Sequence, residues 1–217
     1  MIDLHTHTLF SDGELVPAEL VVRALSLGYR AVAFTDHGDY SNIDFIIPRL
    51  VQACRRLKAF SELQVMAGVE LTHVHPRDIR ELTEEARSLG AQLVVVHGET
   101  IVEPVATGTN RAAIEAGVDI LAHPGLITAD DAAAAAENNV YLEISARSGH
   151  SLTNGHVAAT ARRCGAKLVL NSDAHAPGDL LTRDKARRVA LGAGMQDEEI
   201  DEMFRNSESL CRVAGER

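Results

Sequence analysis

Short runs of β-branched and aliphatic residues recur along the chain, and each is followed by a longer segment with helical spacing or composition. This alternation is typical of parallel strands joined by crossover helices. Strands are predicted at residues 2–6, 31–35, 64–70, 92–97, 118–122, 140–145 and 167–171. Helices are predicted near residues 17–28, 43–60, 78–89, 109–117, 129–138, 154–164 and 181–193, with a last one near 197–205.

Seven or eight strand–helix units in one chain indicate an α/β barrel related to the (β/α)8 type. The chain has 217 residues, which is short for eight full units, so seven strands are favoured. The sequence contains no stretch rich in Pro, Gly or Ser that would separate two cores. We therefore expect one domain spanning residues 1–217.

The composition argues against some classes of binding partner. The formal net charge is −10, which argues against broad binding to nucleic acid or to anionic membranes. No apolar run reaches membrane-spanning length, and no signal peptide is expected before the first strand. Three scattered cysteines do not suggest a disulfide framework, so a reducing cytoplasm is the expected location. Nothing in the pattern sets an oligomeric state.

Histidines concentrate where the predicted strands end. Six of the ten histidines lie at or just after the carboxyl end of a strand, and five different strands contribute them. Active sites of such barrels are built at this end, because the loops that follow the strands converge there. Four carboxylates obey the same rule. The residues concerned are His5, His7, His37, His97, His123 and His175, with Asp12, Asp36, Glu70 and Asp173.

His5 and His7 have the same parity on the first strand, as does Asp3, so all three are expected on one face. Neighbouring inward imidazoles are well suited to holding a metal ion, with carboxylates completing its ligands. Taken singly, each of these residues has an ordinary explanation in the core, on the surface or in a turn. Glu70 is harder to explain, because a carboxylate at the end of an apolar strand is costly unless it is paired or bound.

The motifs DLHTHTLFSDG, TDH, GVE, VVH, AHPG and NSDAH occur in this order on successive predicted strands. Together they resemble the PHP (polymerase and histidinol phosphatase) superfamily, from residue 3 to residue 175. The resemblance implies a distorted (β/α)7 barrel, similar to a TIM barrel, that binds up to three divalent metal ions and hydrolyses phosphoesters. Imidazole and carboxylate ligands suit Zn, Mn or Fe.

The resemblance also implies a division of the ligands among three metals. His5, His7, Glu70 and Asp173 would hold the first, while Glu70 would bridge to a second held by His97 and His123. Asp12, His37 and His175 would hold the third, with Asp12 where some relatives have a histidine. Three divalent ions and three carboxylates leave an excess of about three positive charges, which would attract a phosphate dianion to an acidic protein.

Further residues are assigned on weaker grounds. Metal-activated water would attack phosphorus without a protein nucleophile. Asp36 is a candidate catalytic residue that would orient a histidine or approach the metals, and Asp3 is a deeper candidate for the same positioning. Arg147 is the candidate for binding the substrate phosphate, and the alternative is that it is an ordinary surface arginine.

The remaining histidines are expected to lie outside the site. His150 and His156 are interpreted as solvent-exposed, and His73 and His75 have opposite parity to Glu70, so both should face away. The segment 98–110 is interpreted as a loop forming one wall of the mouth, with Glu99 a weak candidate for substrate contact.

The predicted activity is hydrolysis of a small phosphate monoester resembling histidinol phosphate, as in histidine biosynthesis. One alternative is a phosphoesterase acting on nucleotides or oligonucleotides. The acidic balance and the aromatic content of 4% argue against it, because single strands are bound by basic grooves with stacking aromatics. The other alternative is a catalytically silent metal-binding module, against which the complete ligand set argues.

Overall fold

The computed structural model describes residues 1–58 and 62–217. Its strands are β1 (Ile2–Thr6), β2 (Ala31–Phe34), β3 (His37–Gly38), β4 (Gln64–Leu71), β5 (Leu93–His97), β6 (Ile120–Ala122), β7 (Tyr141–Ser145) and β8 (Leu168–Asn171). Its helices are α1 (Pro17–Ser26), α2 (Ile43–Leu57), α3 (Ile79–Ser88), α4 (Thr109–Ala116), α5 (Ala129–Asn138), α6 (Asn154–Cys164), α7 (Arg183–Gly192) and α8 (Asp197–Gly215). Two 3-10 turns lie at His150–Thr153 and Pro177–Asp179.

The seven principal strands form one parallel sheet in the order β1-β2-β4-β5-β6-β7-β8, and the two-residue β3 pairs with β4 beside β2. The two edges approach each other just beyond β8, where Thr6 forms a parallel bridge with Ala174. Two backbone hydrogen bonds reinforce this closure, from His7 to Ala174 and from Asp173 to His5. The fold is a distorted (β/α)7 barrel, as predicted.

Two apolar clusters stabilise the barrel. One lies between the sheet and the surrounding helices and includes Phe34, Ile47 and Leu142. The other lies inside the barrel and includes Leu4 and Met66. Burial of a Leu or Phe side chain contributes about 1.5–3 kcal/mol, so these clusters provide the main stabilising term. The aromatic-poor composition is accommodated because Ala, Val, Leu and Ile supply most of the contacts.

The last helix is longer than predicted and closes one end of the barrel. It runs to Gly215 instead of ending near residue 205, because Leu210, Cys211 and Ala214 continue its apolar stripe into the interior cluster. The amide of Gln64, at the start of β4, donates to the carbonyl of Cys211 at 3.2 Å. With the amino ends of the strands covered, the functional side chains are confined to the opposite end.

The other element boundaries agree with the predictions to within about two residues, β3 being an addition. The Oγ1 of Thr128 accepts from the Asp131 N–H at 3.1 Å and so caps α5. The end of the predicted helix 43–60 falls on residues 59–60, which lie outside the described residues. Within the described ranges, no helix combines the length and apolar character needed to cross a membrane. Cys54, Cys164 and Cys211 are all unpaired.

Candidate metal centre

The structure brings all nine predicted ligand side chains to one end of the barrel. They are contributed by β1 and the loop after it, by β3, by the ends of β4 and β5, and by the segments after β6 and β8. Most are buried, while Asp12 at the mouth is more open. The set comprises His5, His7, Asp12, His37, Glu70, His97, His123, Asp173 and His175.

Glu70 lies at the centre of this set, and its two carboxylate oxygens face different histidines. Oε1 lies 3.4 Å from Nδ1 of His97 and 3.4 Å from Nε2 of His123. Oε2 lies 3.4 Å from Nε2 of His5 and 3.7 Å from Nε2 of His7. A carboxylate placed in this way can serve two cations at once, one through each oxygen.

Asp173 faces the same histidines from the other side. Its Oδ1 lies 3.2 Å from Nε2 of His7, and its Oδ2 lies 3.7 Å from Nε2 of His123. The backbone of Asp173 adopts a left-handed conformation with φ of 53°, which turns the chain sharply after β8. This turn brings His175 back towards the cluster, with its Nδ1 3.4 Å from Oδ1 of Asp173.

A third group forms around Asp12 at the mouth. Oδ1 of Asp12 lies 3.2 Å from Nε2 of His175, 3.4 Å from Nε2 of His37 and 3.9 Å from Nδ1 of His7. The Asp12 side chain is 55% exposed. This group is therefore open to solvent, unlike the positions around Glu70.

Unpartnered polar atoms converge on the interior of the cluster. Among the described residues, eight buried side-chain nitrogen or oxygen atoms have no hydrogen-bond partner, and seven of them belong to this set. Burying such atoms unpaired costs about 1–3 kcal/mol each, more when they are charged. Divalent cations would satisfy the Glu70 oxygen and one nitrogen of each ring. Two ligand atoms on a tetrahedral ion with bonds of about 2.1 Å stand about 3.4 Å apart. The residues therefore fit metal ions. The seven atoms are His5 Nε2, His7 Nδ1 and Nε2, Glu70 Oε1, His97 Nδ1 and Nε2, and His123 Nδ1.

The electrostatics of the cluster are dominated by competition between burial and ion pairing. Burial alone would lower the pKa of His5, but Glu143, Glu70 and Asp173 raise it well above its usual value. Burial lowers the pKa of His7 to about 4, although Asp173 and Glu70 oppose that shift. Burial would raise the pKa of Glu70, but neighbouring histidines hold it well below its usual value. Protons and cations therefore compete for the same atoms.

Glu143, at the middle of β7, is a functional residue that the sequence reasoning missed. Its Oε1 lies 2.9 Å from Nδ1 of His5 in hydrogen-bonding geometry, and its Oε2 accepts from the backbone N–H of His123 at 3.2 Å. Asn171 also donates to Oε1 at 2.9 Å. The sequence does indicate Glu143, because an acid inside an apolar strand is costly to bury unless it is paired or bound, as it is for Glu70.

The first strand does not keep one parity along its length. The pairing of β1 with β2 shifts register between Asp3 and Thr6. Irregularities of this kind re-aim side chains, and Leu4 packs in the barrel interior while the next residue, His5, joins the metal cluster. The expectation that Asp3 shares a face with His5 is wrong. Asp3 accepts from the Ser172 N–H at 3.1 Å and from the Tyr29 hydroxyl at 3.3 Å.

The structure places Asp36 behind the loop that follows β1. Its Oδ1 accepts from the backbone N–H groups of Thr8 at 2.8 Å and Ser11 at 3.0 Å, and from both hydroxyls. Burial raises the pKa of Asp36, while these donors oppose the shift. The contact expected between Asp36 and a histidine is replaced by contacts that fix the turn carrying Asp12.

Arg147 follows β7 and lines the cavity above the cluster. Its guanidinium donates to the carbonyl of Asp173 at 3.2 Å and lies 3.8 Å from a carboxylate oxygen of Asp179. The side chain is 32% exposed. The cavity has a volume of about 250 Å³ and is lined by Arg147 together with Asp12, His37, Glu70 and Asp173. A cationic group thus faces the same space as the metal ligands.

Two expectations about the other histidines are wrong. His150 is buried, and its ring stacks on that of His123 with centroids 4.0 Å apart. His73 lines the cavity, because β4 ends at Leu71 and strand parity no longer applies beyond it. The backbone of His73 is left-handed, with φ of 53°. His75 and His156 are exposed, as predicted.

The loop between β5 and α4 forms one wall of the cavity, as predicted, but through a different acid. Oε1 of Glu99 accepts from the backbone N–H groups of Gly108 at 3.0 Å and Asn110 at 2.9 Å. Glu99 therefore holds the start of α4 and does not face the cavity. Glu103, which the sequence reasoning did not single out, lines the cavity instead.

Comparison with known proteins gives relatives across nearly the whole chain. An uncharacterised protein of Methanocaldococcus jannaschii is 50% identical over 201 residues, covering 92% of each chain. Ribonuclease P protein component 3 of Methanosarcina barkeri is 29% identical over 87% of this chain and 79% of its own. A probable phosphatase of Shewanella pealeana is 27% identical over 100% of this chain and 93% of its own.

Two solved structures share the fold at low sequence identity. A chain of archaeal ribonuclease P, determined with mature tRNA, matches with a TM-score of 0.75 and 17% identity, covering 99% of this chain and 91% of that chain. Histidinol phosphate phosphatase of Lactococcus lactis, determined with zinc, L-histidinol and phosphate, matches with a TM-score of 0.64 and 20% identity, covering 90% and 94%. The family model of the PHP domain matches residues 3–123, more than half of the chain. The chain therefore belongs to the PHP domain family.

Proposed function

We propose that the protein is a metal-dependent phosphoesterase that hydrolyses a small phosphate monoester at a centre of three divalent ions. The observation that carries this proposal is the position of Glu70 inside a buried cluster: its Oε1 faces His97 and His123, while its Oε2 faces His5, His7 and His37. Buried acids and imidazoles without hydrogen-bond partners have a clear use as metal ligands and no evident use in packing.

The proposed ligand sets follow the three groups of contacts. His5, His7, Glu70 and Asp173 hold the first ion. Glu70, His97 and His123 hold the second, and Asp12, His37 and His175 hold the third. Zn, Mn and Fe all suit these imidazole and carboxylate donors. When bound, such ions supply Lewis-acid chemistry, activating water at neutral pH and neutralising the charge of a phosphoryl group.

The chain's own residues orient this centre and its substrate. Glu143 fixes the ring of His5 by accepting from Nδ1, which leaves Nε2 directed at the cluster. Asp36 fixes the turn that carries Asp12. Arg147 contacts the phosphate from the rim, because a guanidinium offers several donors in a plane that matches phosphate oxygens. Water is the nucleophile, so no side chain forms a covalent intermediate.

A small phosphate monoester related to histidinol phosphate is the substrate class that we favour. The cavity of about 250 Å³ has room for a phosphate and a compact organic group. The probable phosphatase of Shewanella pealeana and the histidinol phosphate phosphatase of Lactococcus lactis support a phosphatase activity. This activity would place the protein in small-molecule metabolism, and histidine biosynthesis is the pathway that its substrate class suggests.

A nucleic-acid substrate is the first alternative, and it is suggested by the similarity to ribonuclease P proteins. The net charge of −10 disfavours it, since nucleic-acid binding draws on clustered Lys and Arg. A catalytically silent metal-binding module is the second alternative, and the complete set of nine ligands disfavours it.

One panel of assays separates the three functions. Purified protein is analysed for metal content. It is then assayed for phosphate release from histidinol phosphate, other phosphorylated metabolites and nucleotides, and for cleavage of short RNA and DNA. We expect bound divalent metal and turnover of a small monoester. Turnover of nucleotides or oligonucleotides alone would favour the first alternative. Bound metal without turnover of any substrate would favour the silent module.

A further inference from the structure

The carboxylate of Glu103 lies beside three imidazoles, of which only His97 belongs to the proposed trinuclear set. Its Oε2 lies 3.2 Å from Nε2 of His97 and 3.5 Å from Nε2 of His73. Its Oε1 lies 3.6 Å from Nε2 of His150. Among the described residues, no Lys or Arg pairs with this carboxylate. In the part of the chain that the structure describes, the ion-pair partners of this acid at the mouth of the cavity are therefore all histidines.

Two kinds of histidine–carboxylate contact can be distinguished in this protein. Nδ1 of His5 meets Glu143 at 2.9 Å in hydrogen-bonding geometry, as expected of a positioning contact. Nε2 of His5 stands 3.4 Å from Glu70 and has no hydrogen-bond partner, as expected of two ligands sharing an ion. Nε2 of His97, 3.2 Å from Glu103, also lacks a hydrogen-bond partner and is buried. The contact between Glu103 and His97 therefore belongs to the second kind.

We propose that Glu103, His73 and Nε2 of His97 form an additional, outer position for a divalent cation. The three ligand atoms lie within 4.8 Å of one another. Ligands on an ion with bonds of about 2.1 Å stand about 3.4 Å apart, which agrees with the two distances to Oε2. Two imidazoles and one carboxylate favour Zn²⁺ over Mg²⁺ or Ca²⁺, which prefer oxygen ligands.

The outer position rests on the proposed function, because it shares His97 with the proposed second metal position. The two ring nitrogens of His97 face opposite ways. Nδ1 faces Glu70 in the proposed second metal position, and Nε2 faces Glu103. A neutral imidazole offers one lone pair, so His97 serves one of the two positions at a time. With the second ion bound through Nδ1, the outer ion keeps Glu103 and His73 and completes its ligands with water.

Exposure distinguishes the outer position from its neighbour. The side chains of His73 and Glu103 are 46% and 40% exposed, whereas that of Glu70 is 1% exposed. An ion at Glu103 is therefore in contact with solvent and exchanges more readily than the buried ions. The outer ion should be the weakest-bound equivalent and the first that a chelator removes.

Anomalous diffraction locates the ion directly. Crystals of the full chain, stripped of metal and soaked in zinc, are expected to show a peak beside Glu103 and His73 as well as peaks within the cluster. Crystals of Glu103→Gln are expected to keep the inner peaks and lose the outer one. Inner peaks with nothing at Glu103 in the wild type would overturn the outer position while leaving the proposed function intact. A wild-type map with no inner peaks would overturn the proposed function.

Equilibrium dialysis against buffered zinc gives the counterpart in solution. We expect the weakest zinc equivalent of the wild type to be lost in Glu103→Gln and in His73→Ala. His75→Ala is the matched control, because His75 is an exposed histidine of the same segment that lies away from the cavity, and it should keep this equivalent. Equal loss in His75→Ala would overturn the assignment. If Glu103 only orients His97, the variant will instead weaken a tightly bound equivalent, which also overturns it.

Discussion

Nδ1 of His5 lies 2.9 Å from Oε1 of Glu143, and both side chains are completely buried. The carboxylate accepts a hydrogen bond from the N–H of one ring nitrogen and thereby leaves the other nitrogen free for the cluster around Glu70. Two further donors, the Asn171 amide and the His123 backbone N–H, hold Glu143 in place. The cluster of histidines and carboxylates is therefore supported from the middle of β7, below the predicted metal ligands.

Glu143→Gln tests this support. The substitution keeps the size of the side chain but removes the charge that favours the His5 tautomer with a free Nε2. We expect zinc affinity to fall about 10- to 100-fold, the range typical for partners of metal-binding histidines. Competition with a chromophoric chelator measures this affinity. Glu137→Gln, an exposed acid on α5, is the control. Wild-type affinity in Glu143→Gln would show that the contact does not position His5.

Removal of metal is expected to lower the thermal stability of the protein. The proposed cations would stabilise the unpartnered atoms of His5, His7, Glu70 and His97 only in the folded chain, where these atoms converge. A ligand at 100 times its Kd adds about 2.7 kcal/mol per site to the free energy of unfolding. Thermal unfolding in chelator, followed by addition of zinc, should show a lower Tm that recovers. An unchanged Tm would argue against metal ligation by these groups.

Arg147→Ala is expected to weaken the contact with substrate without removing metal. A hydrogen bond to a charged group contributes about 1.5–3 kcal/mol, so kcat/KM should fall roughly 10- to 150-fold. Arg147→Lys should recover part of this loss, since a point charge replaces the planar donor group. Arg188→Ala, exposed on α7, provides the control. Unchanged kinetic constants in Arg147→Ala would remove the residue from the mechanism.

Asp36→Asn is expected to affect the group around Asp12 selectively. Asp36 accepts from Thr8 and Ser11 on the loop between β1 and Asp12, and an amide cannot accept all of these bonds. The loop should become less ordered, and the metal equivalent held by Asp12, His37 and His175 should lose more affinity, relative to the wild type, than the other equivalents. Metal analysis after dialysis against graded chelator tests this order of loss. Uniform weakening of every equivalent would contradict it.

Much of the site could be predicted from sequence because parallel strands bring their carboxyl ends to one rim. His97 and His123, at the ends of β5 and β6, needed no further information than strand position. Glu70 was identifiable because a buried acid is costly in an apolar strand. The same physical reasoning applies to Glu143. A prediction based on strand ends does not include it, because Glu143 lies in the middle of its strand.

The residues that were misplaced lie where regular periodicity stops. Alternation predicted that His73 would face away, but β4 ends at Leu71 and the left-handed backbone of His73 turns it into the cavity. Asp3 and His5 were expected on one face, but the register shift in β1 separates them. His150 lies in a 3-10 turn, and no period in its loop indicated burial. Such local departures depend on tertiary contacts that a single sequence does not reveal.

The central claim is that phosphoester hydrolysis depends on divalent ions held by the cluster around Glu70. Phosphate release from a small phosphate monoester, measured before chelation, after it and after metal is restored, tests this claim most directly. The account predicts that turnover is lost with the metal and returns when zinc, manganese or iron is added back. Undiminished turnover by the metal-free protein would contradict it.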